Sequence, residues 1–350
     1  KLQIISDLIS SLFMKRLNLN HGNYFFQIRI FCVLKTGNQF YNMKTFLVTG
    51  AAGFIGSELA EKLLKERNKV ITIDNLSTGF RESIPNGVEF LYGDCQDEKL
   101  IEKLKKRNID AIFHIAGQSS GEISFENPIY DMETNTKSTL LLLKLALSID
   151  CKKFIYASTM SVYGNQEDRL INEFDTTFPK SFYGVGKLAS EHYLRLYQEY
   201  GIDCTALRLF NVYGPGQNMQ NMKQGMVSIF LSQALSSNKI QVKGSKDRFR
   251  DFVYIDDIVD SFILAQQSND KEFKIYNVST GIKTSVESVI NIIRENITKE
   301  VSVEYLEGTP GDQFGIYGDS SLIKSNLGWL PKTNFSQGVK NMVKWAKSKN

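Results

Sequence analysis

From Phe46 onward, short runs of β-branched and other apolar residues alternate with longer stretches whose apolar positions recur every three or four residues. The first kind of run predicts strands, the second amphipathic helices. Six strands are expected: "FLVTG", "KVITID", "VEFLYGD", "DAIFHIAG", "KFIYAST" and "CTALRLFNVYG". Between them lie helical patterns such as "GSELAEKLLKERN", with Leu59, Leu63 and Leu64 on one face, and "TNTKSTLLLLKLALSI", read as one helix. Apolar strands separated by helices call for a parallel sheet covered on both faces.

After about residue 211 the rhythm breaks. A Gly-Pro-Gly turn at 214 to 216 leads into the polar loop "NMQNMKQG", and the later elements are shorter and mixed. That is the pattern of a smaller lobe closing over the strand ends, although "KIYNVSTG" at 274 to 281 reads as a strand returning to the main sheet. The expected fold is α/β: a Rossmann-type doubly wound parallel sheet with a smaller C-terminal substrate-binding lobe. Residues 43–210 would form the dinucleotide-binding domain and 211–350 mainly the lobe, with about 251–281 returning to the sheet.

Composition narrows the class without naming a chemistry. With 350 residues, 42% hydrophobic and 23% charged, the chain is of the soluble globular type. Its net charge of +4 resides in residues 1–42, where Lys1, Lys15, Arg16, Arg29 and Lys35 face only Asp7. The remainder is neutral, which gives no electrostatic reason to expect nucleic acid. The apolar run "YFFQIRIFCVL" is interrupted by Arg29 and falls short of the roughly 18 uncharged residues a membrane span needs, so no membrane is expected. Met43 stands directly before "KTFLVTG", and residues 1–42 are expected outside the fold, as a disordered extension or upstream translated sequence. Cys32, Cys95, Cys151 and Cys204 lack paired spacing, as buried thiols in a reducing, cytoplasmic setting would. With His21, His114 and His192 the only histidines, no metal site is expected.

The chemistry begins at "TGAAGFIGSELA", which carries Gly50, Gly53 and Gly56 across a strand-to-helix turn, with Phe54 and Ile55 opening the helix. Such glycines let a backbone approach a pyrophosphate at a helix N-terminus. Asp74 ends the second strand, 18 residues after Gly56, where a carboxylate holds ribose hydroxyls and repels a 2′-phosphate. No arginine follows until Arg81, so NAD is expected rather than NADP, with Asn75 beside it. Asp94 and Cys95 in "GDC" end the third strand near the adenine edge, and Ala116 and Gly117 in "HIAG" end the fourth beside the cofactor. His114 is expected in the core. Tyr183 and Lys187, in "FPKSFYGVGKLASEHY", stand one helical turn apart. A lysine ammonium there, with an oxidised nicotinamide nearby, would bring the tyrosine pKa down from about 10 towards the working range of a general base.

The ordered stretches "TGAAGFIG", "DNLSTG", "GDC", "HIAGQ", "STMSVYG", "YGVGK", "RLFNVYGPGQ", "RDFVYIDD", "PGD" and "LGW" resemble the NAD-dependent nucleotide-sugar epimerase/dehydratase family, the extended branch of short-chain dehydrogenases, over essentially 45 to 345. The resemblance implies Tyr183 as acid/base, Lys187 as its electrostatic partner and ribose ligand, and Thr159 as proton relay to a sugar. It also implies cofactor contacts from Asn135 and Phe210, and nucleotide-sugar contacts from Thr159, Asn211, Arg250 and Asp312. Dehydratases of the family carry Thr-Asp-Glu where this chain has Thr159, Met160 and Ser161, so elimination lacks its extra acid and base. The implied reaction is therefore oxidation and return of hydride at one carbon: a 4-epimerase, on a UDP-hexose or UDP-N-acetylhexosamine. A 4-ketoreductase, a 2-epimerase or a catalytically silent dinucleotide-binding module are the alternatives. Thr309 stands where family members place an arginine before "PGD", and Ile316 where pocket size is set. A homodimer is implied, through "TNTKSTLLLLKLALSI" and the helix of Tyr183.

Overall fold

The computed structural model describes residues 43–308 and 314–349. The extension 1–42, Thr309 and Asp312 lie outside the described residues. The part from Met43 on is one compact unit.

Strand β1 (Thr45–Thr49), helix α1 (Phe54–Lys65), β2 (Lys69–Asp74), β3 (Glu89–Tyr92), α2 (Glu98–Leu104) and β4 (Ala111–His114) build the first half. The second half holds α3 (Gly121–Glu126), α4 (Pro128–Met132), α5 (Ser138–Ser148), β5 (Lys153–Thr159), α6 (Phe182–Gln198) and β6 (Asp203–Leu209). Seven strands pair in parallel in the order β11-β6-β5-β4-β1-β2-β3, where β11 is Lys274–Val278. The chain leaves β1 outward through β2 and β3 and returns to its other side at β4. Between β1 and β4 the strand order therefore reverses, and ligands bind outside the strand ends at such a point.

Both sheet faces are covered. Leu59, Ala60 and Leu63 of α1 join Phe46 and Val48 on one side, and Leu142, Leu143 and Leu145 of α5 join Leu47, Ile112 and Phe154 on the other. Those α5 leucines are buried inside the subunit, which accounts for the leucine-rich run.

Two predicted elements are interrupted. The "CTALRLFNVYG" run is not one strand: it breaks at Phe210 into β6 and a short β7 (Asn211–Tyr213), which leaves the main sheet to pair with β10 (Phe252–Tyr254). Phe210 N donates to Val278 O and Asn211 N to Asp251 O, so the backbone changes partner within one residue. The stretch before α5 is a π turn over Glu133–Lys137 instead of regular α-helix. Beyond β7 come α7 (Met226–Ser237), β8 (Lys239–Lys243), β9 (Phe249–Arg250), β10 and α8 (Ile255–Gln267) before β11. Later elements include β12 (Thr284–Ser285), α9 (Val286–Glu295), β13 (Ser302–Leu306), β14 (Gly315–Ile316) and the C-terminal helix Phe335–Lys349.

Buried Asp251 ties this region together. Its carboxylate accepts from Thr280 N and Oγ1, Gly281 N and Gly318 N at 2.6 to 3.2 Å. Among the described residues no helix is long and apolar enough to cross a membrane.

Candidate active site

A cavity of about 560 Å³ opens at the C-terminal ends of β1, β2, β4 and β5. Gly50, Gly53, Phe54, Ile55 and Gly56 form one wall, Asp74, Asn75, Asp94 and Cys95 the next, and Ala116 and Gly117 the floor. A Cβ on Gly56 would run into the carbonyl of Gly50, so α1 can approach the loop this closely only with glycine there. Asp74 Oδ2 accepts from Ala52 N at 2.9 Å and Oδ1 from Leu76 N at 2.8 Å, which fixes the carboxylate across the glycine turn. Asn75 Nδ2 donates to Asp94 Oδ1 at 2.6 Å, pinning the second and third strand ends to each other. Thr49 Oγ1 accepts from the amides of Ile115 and Ala116. His114 lies in the core, between Thr49 on one side and Ser138 and Thr139 on the other, and burial drives its pKa well down, so it is a neutral packing residue.

Tyr183, Lys187 and Thr159 meet at the same cavity. Ser181 caps α6 by accepting from Gly184 N at 3.1 Å, so the helix begins just before Tyr183 and the fourfold spacing puts Lys187 one turn behind it. Lys187 Nζ donates to Ala157 O at 3.0 Å and lies 4.8 Å from the Tyr156 ring centre and 5.9 Å from that of Tyr183. Thr159 terminates β5, and its Oγ1 donates to Ser161 Oγ.

Burial pushes the Tyr183 phenol up to about 12, with Thr159 pulling the other way and Asp131 adding to the rise. Burial also lowers Lys187 to about 8, against the attraction of Asp131 and Glu191.

The remaining site residues divide. Phe210 and Asn211 line the cavity, and Asn211 Nδ2 faces Met160 Sδ at 3.5 Å. Asn135, in the π turn, lies beneath it, 1% exposed, with Nδ2 donating to Gln118 O and Asp131 Oδ1. Arg250 does not line the cavity: it is buried along β9, donating to Phe249 O and Phe314 O, and burial lowers it to about 10. Ile316 pairs with it in β14, also away from the lining. Sequence reading missed Gln217, Gln224, Gly225 and Met226, which close the outer wall. Their only signal was the polar loop after the Gly-Pro-Gly turn.

Whether these residues fit a dinucleotide is answered by two features. A Cβ on Gly117 would come within 2.5 Å of Asn135 Oδ1, so that floor position must stay bare. Asn135 Oδ1 itself is buried with no hydrogen-bond partner. A bare floor above an unpartnered oxygen, facing a glycine turn and an anchored Asp74, suits a flat polar ligand with phosphates at one end.

Comparison with known proteins agrees. The putative UDP-glucose 4-epimerase of Methanocaldococcus jannaschii is 34% identical, over 87% of this chain and 99% of that protein. The structure of UDP-glucose 4-epimerase from Thermotoga maritima with UDP-glucose superposes with a TM-score of 0.83 at 34% identity, covering 87% of this chain and 99% of that one. That of the Thermus thermophilus UDP-glucose 4-epimerase complexed with NAD gives 0.81 at 33%, covering 87% and 100%. The model of the NAD dependent epimerase/dehydratase family matches residues 46–279, from the first strand to just past β11. On that match and on relatives covered nearly end to end, the chain belongs to the NAD dependent epimerase/dehydratase family.

Proposed function

We propose that this protein is an NAD-dependent nucleotide-sugar 4-epimerase acting on a UDP-hexose or UDP-N-acetylhexosamine. The observation that carries the reading is the meeting of Tyr183, Lys187 and Thr159 at a cavity whose next residues are Met160 and Ser161. When bound, NAD supplies a positively charged ring that accepts a hydride and returns it. Tyr183 Oη takes the proton of the sugar hydroxyl and gives it back from the same oxygen after the keto sugar has turned over. Thr159 Oγ1 relays that proton, and the Lys187 ammonium stabilises the phenolate. Met160 has no proton to give, and no carboxylate stands at 160 or 161 to drive elimination.

Asp74 and Asn75 would hold the adenosine ribose, and Gly50 to Gly56 the pyrophosphate. Phe210 would meet the cofactor and Asn211 the sugar nucleotide, as part of a lobe built mainly from residues after 210. Arg250, which donates to Phe249 O and Phe314 O within the lobe, would meet the diphosphate. We read the protein as a cytoplasmic homodimer. Phe125, Ile129 and Met132 on α3 and α4, with Phe182 and Val185 on α6, leave large apolar side chains 45 to 65% exposed on adjoining helices, where a second copy would cover them.

The test is to incubate the purified protein, without added cofactor, with UDP-, GDP-, CDP- and dTDP-sugars and separate the products. Conversion of a UDP-sugar to its 4-epimer is expected, and a panel left unconverted would sink the reading.

A further inference from the structure

Tyr183 and Lys187 are followed, at the same spacing on α6, by Glu191, which is 2% exposed and which the proposed chemistry does not use. Its carboxylate forms a bidentate pair with buried Arg208 of β6, Nε to Oε1 at 3.0 Å and Nη2 to Oε2 at 2.7 Å. The same Oε1 accepts from Ser158 Oγ at 2.5 Å. Ser158 is the residue before Thr159. Arg208 is held in turn by the Tyr163 ring, 4.7 Å from Cζ, and by Glu173 O at 3.2 Å, while Tyr163 Oη donates to Asn277 Oδ1 on β11 at 2.6 Å.

A buried ion pair is a poor device for stability alone, because desolvating both charges offsets most of their attraction. What this one does is geometric. Its three members lie on the three elements that deliver the site: α6 with Tyr183 and Lys187, β5 with Thr159, and β6 leading to Phe210 and Asn211. The two oxygens of one carboxylate accept the arginine fork and still leave a lone pair for the strand hydroxyl.

We infer that Glu191 is a positioning residue, which through Ser158 and Arg208 fixes the separation of the Tyr183 and Thr159 hydroxyls. The inference rests on the proposed reaction. The negative charge of Glu191 also draws the Lys187 ammonium back up against burial, jointly with Asp131, among neighbours Tyr156, Tyr183 and neutral His114 that add no charge.

Glu191→Gln leaves Arg208 unpaired and can prevent folding, so Ser158→Ala, which removes one hydrogen bond and no charge, is the deciding variant. In the NAD-loaded protein, amide exchange is expected to rise together at 158–161 and at 183–187, by about tenfold. With the sugar that the wild type epimerises, kcat falls about tenfold while KM stays within about twofold, since orientation and not binding is lost. Exchange rising at 158–161 alone, or a kcat equal to wild type, overturns the inference. If the wild type converts no sugar in the panel, it is the functional reading that fails, and the exchange comparison still decides the clamp.

Discussion

Lys187 Nζ stands 5.9 Å from the centre of the Tyr183 ring, and the Ala157 carbonyl holds it there from 3.0 Å. The lysine is thus aimed by the strand that ends in Thr159 and not by the tyrosine. Lys187→Ala removes the cation nearest the phenolate, so the rising limb of the pH–rate profile should move to higher pH by about one unit. An unmoved limb would remove the electrostatic role.

Tyr183→Phe should lower epimerisation by about 10²-fold to 10⁴-fold, the usual contribution of a general base, while NAD stays bound. Turnover near the wild-type rate, with NAD counted by absorbance in the same sample, would contradict the assignment.

Asp74→Ala should weaken NAD retention, measured by calorimetry on the stripped protein. The same change frees the amides of Ala52 and Leu76, so urea unfolding should register a loss of about 1–3 kcal/mol. Wild-type affinity would take Asp74 out of the site.

The folded pKa of Lys187, about 8, lies below the ordinary lysine value of about 10.4. The unfolded chain therefore binds the proton more strongly, and this group opposes folding below pH 8, progressively less from there to pH 10.4. Lys187→Met should be more stable than the wild type at pH 7, with the difference shrinking across that window. A difference constant from pH 7 to pH 10 would refute the burial argument.

Asp251→Ala strips four hydrogen bonds from a buried joint and should cost about 3 kcal/mol or more by urea unfolding, with the midpoint shifting well before any change in NAD content. A midpoint equal to wild type would show that the joint is dispensable.

What could be read beforehand was local. The glycine turn announces itself because α1 must touch Gly50, and the Tyr183–Lys187 pair because a spacing of four puts both on one helical face. What escaped depends on distant partners. The break at Phe210 is made by Val278 and Asp251, 68 and 40 residues from the amides they bind. Where Arg250 sits depends on pairing of β9 with β14, far along the chain, which its own segment does not announce. The role of Glu191 was hidden because neither Ser158 nor Arg208 is near it in sequence.

The outer wall from Gln217 to Met226 is tied to its surroundings by Asn218 Nδ2 to Thr78 O at 3.2 Å, by the exposed Lys223–Glu126 ion pair at 2.8 Å, and by Met219 and Met226 packed against the core. Because the polar ties end at Thr78 and Glu126, outside the strands of the main sheet, the wall can be exchanged for the corresponding loop of a relative with Tyr183, Lys187 and Thr159 left where they are.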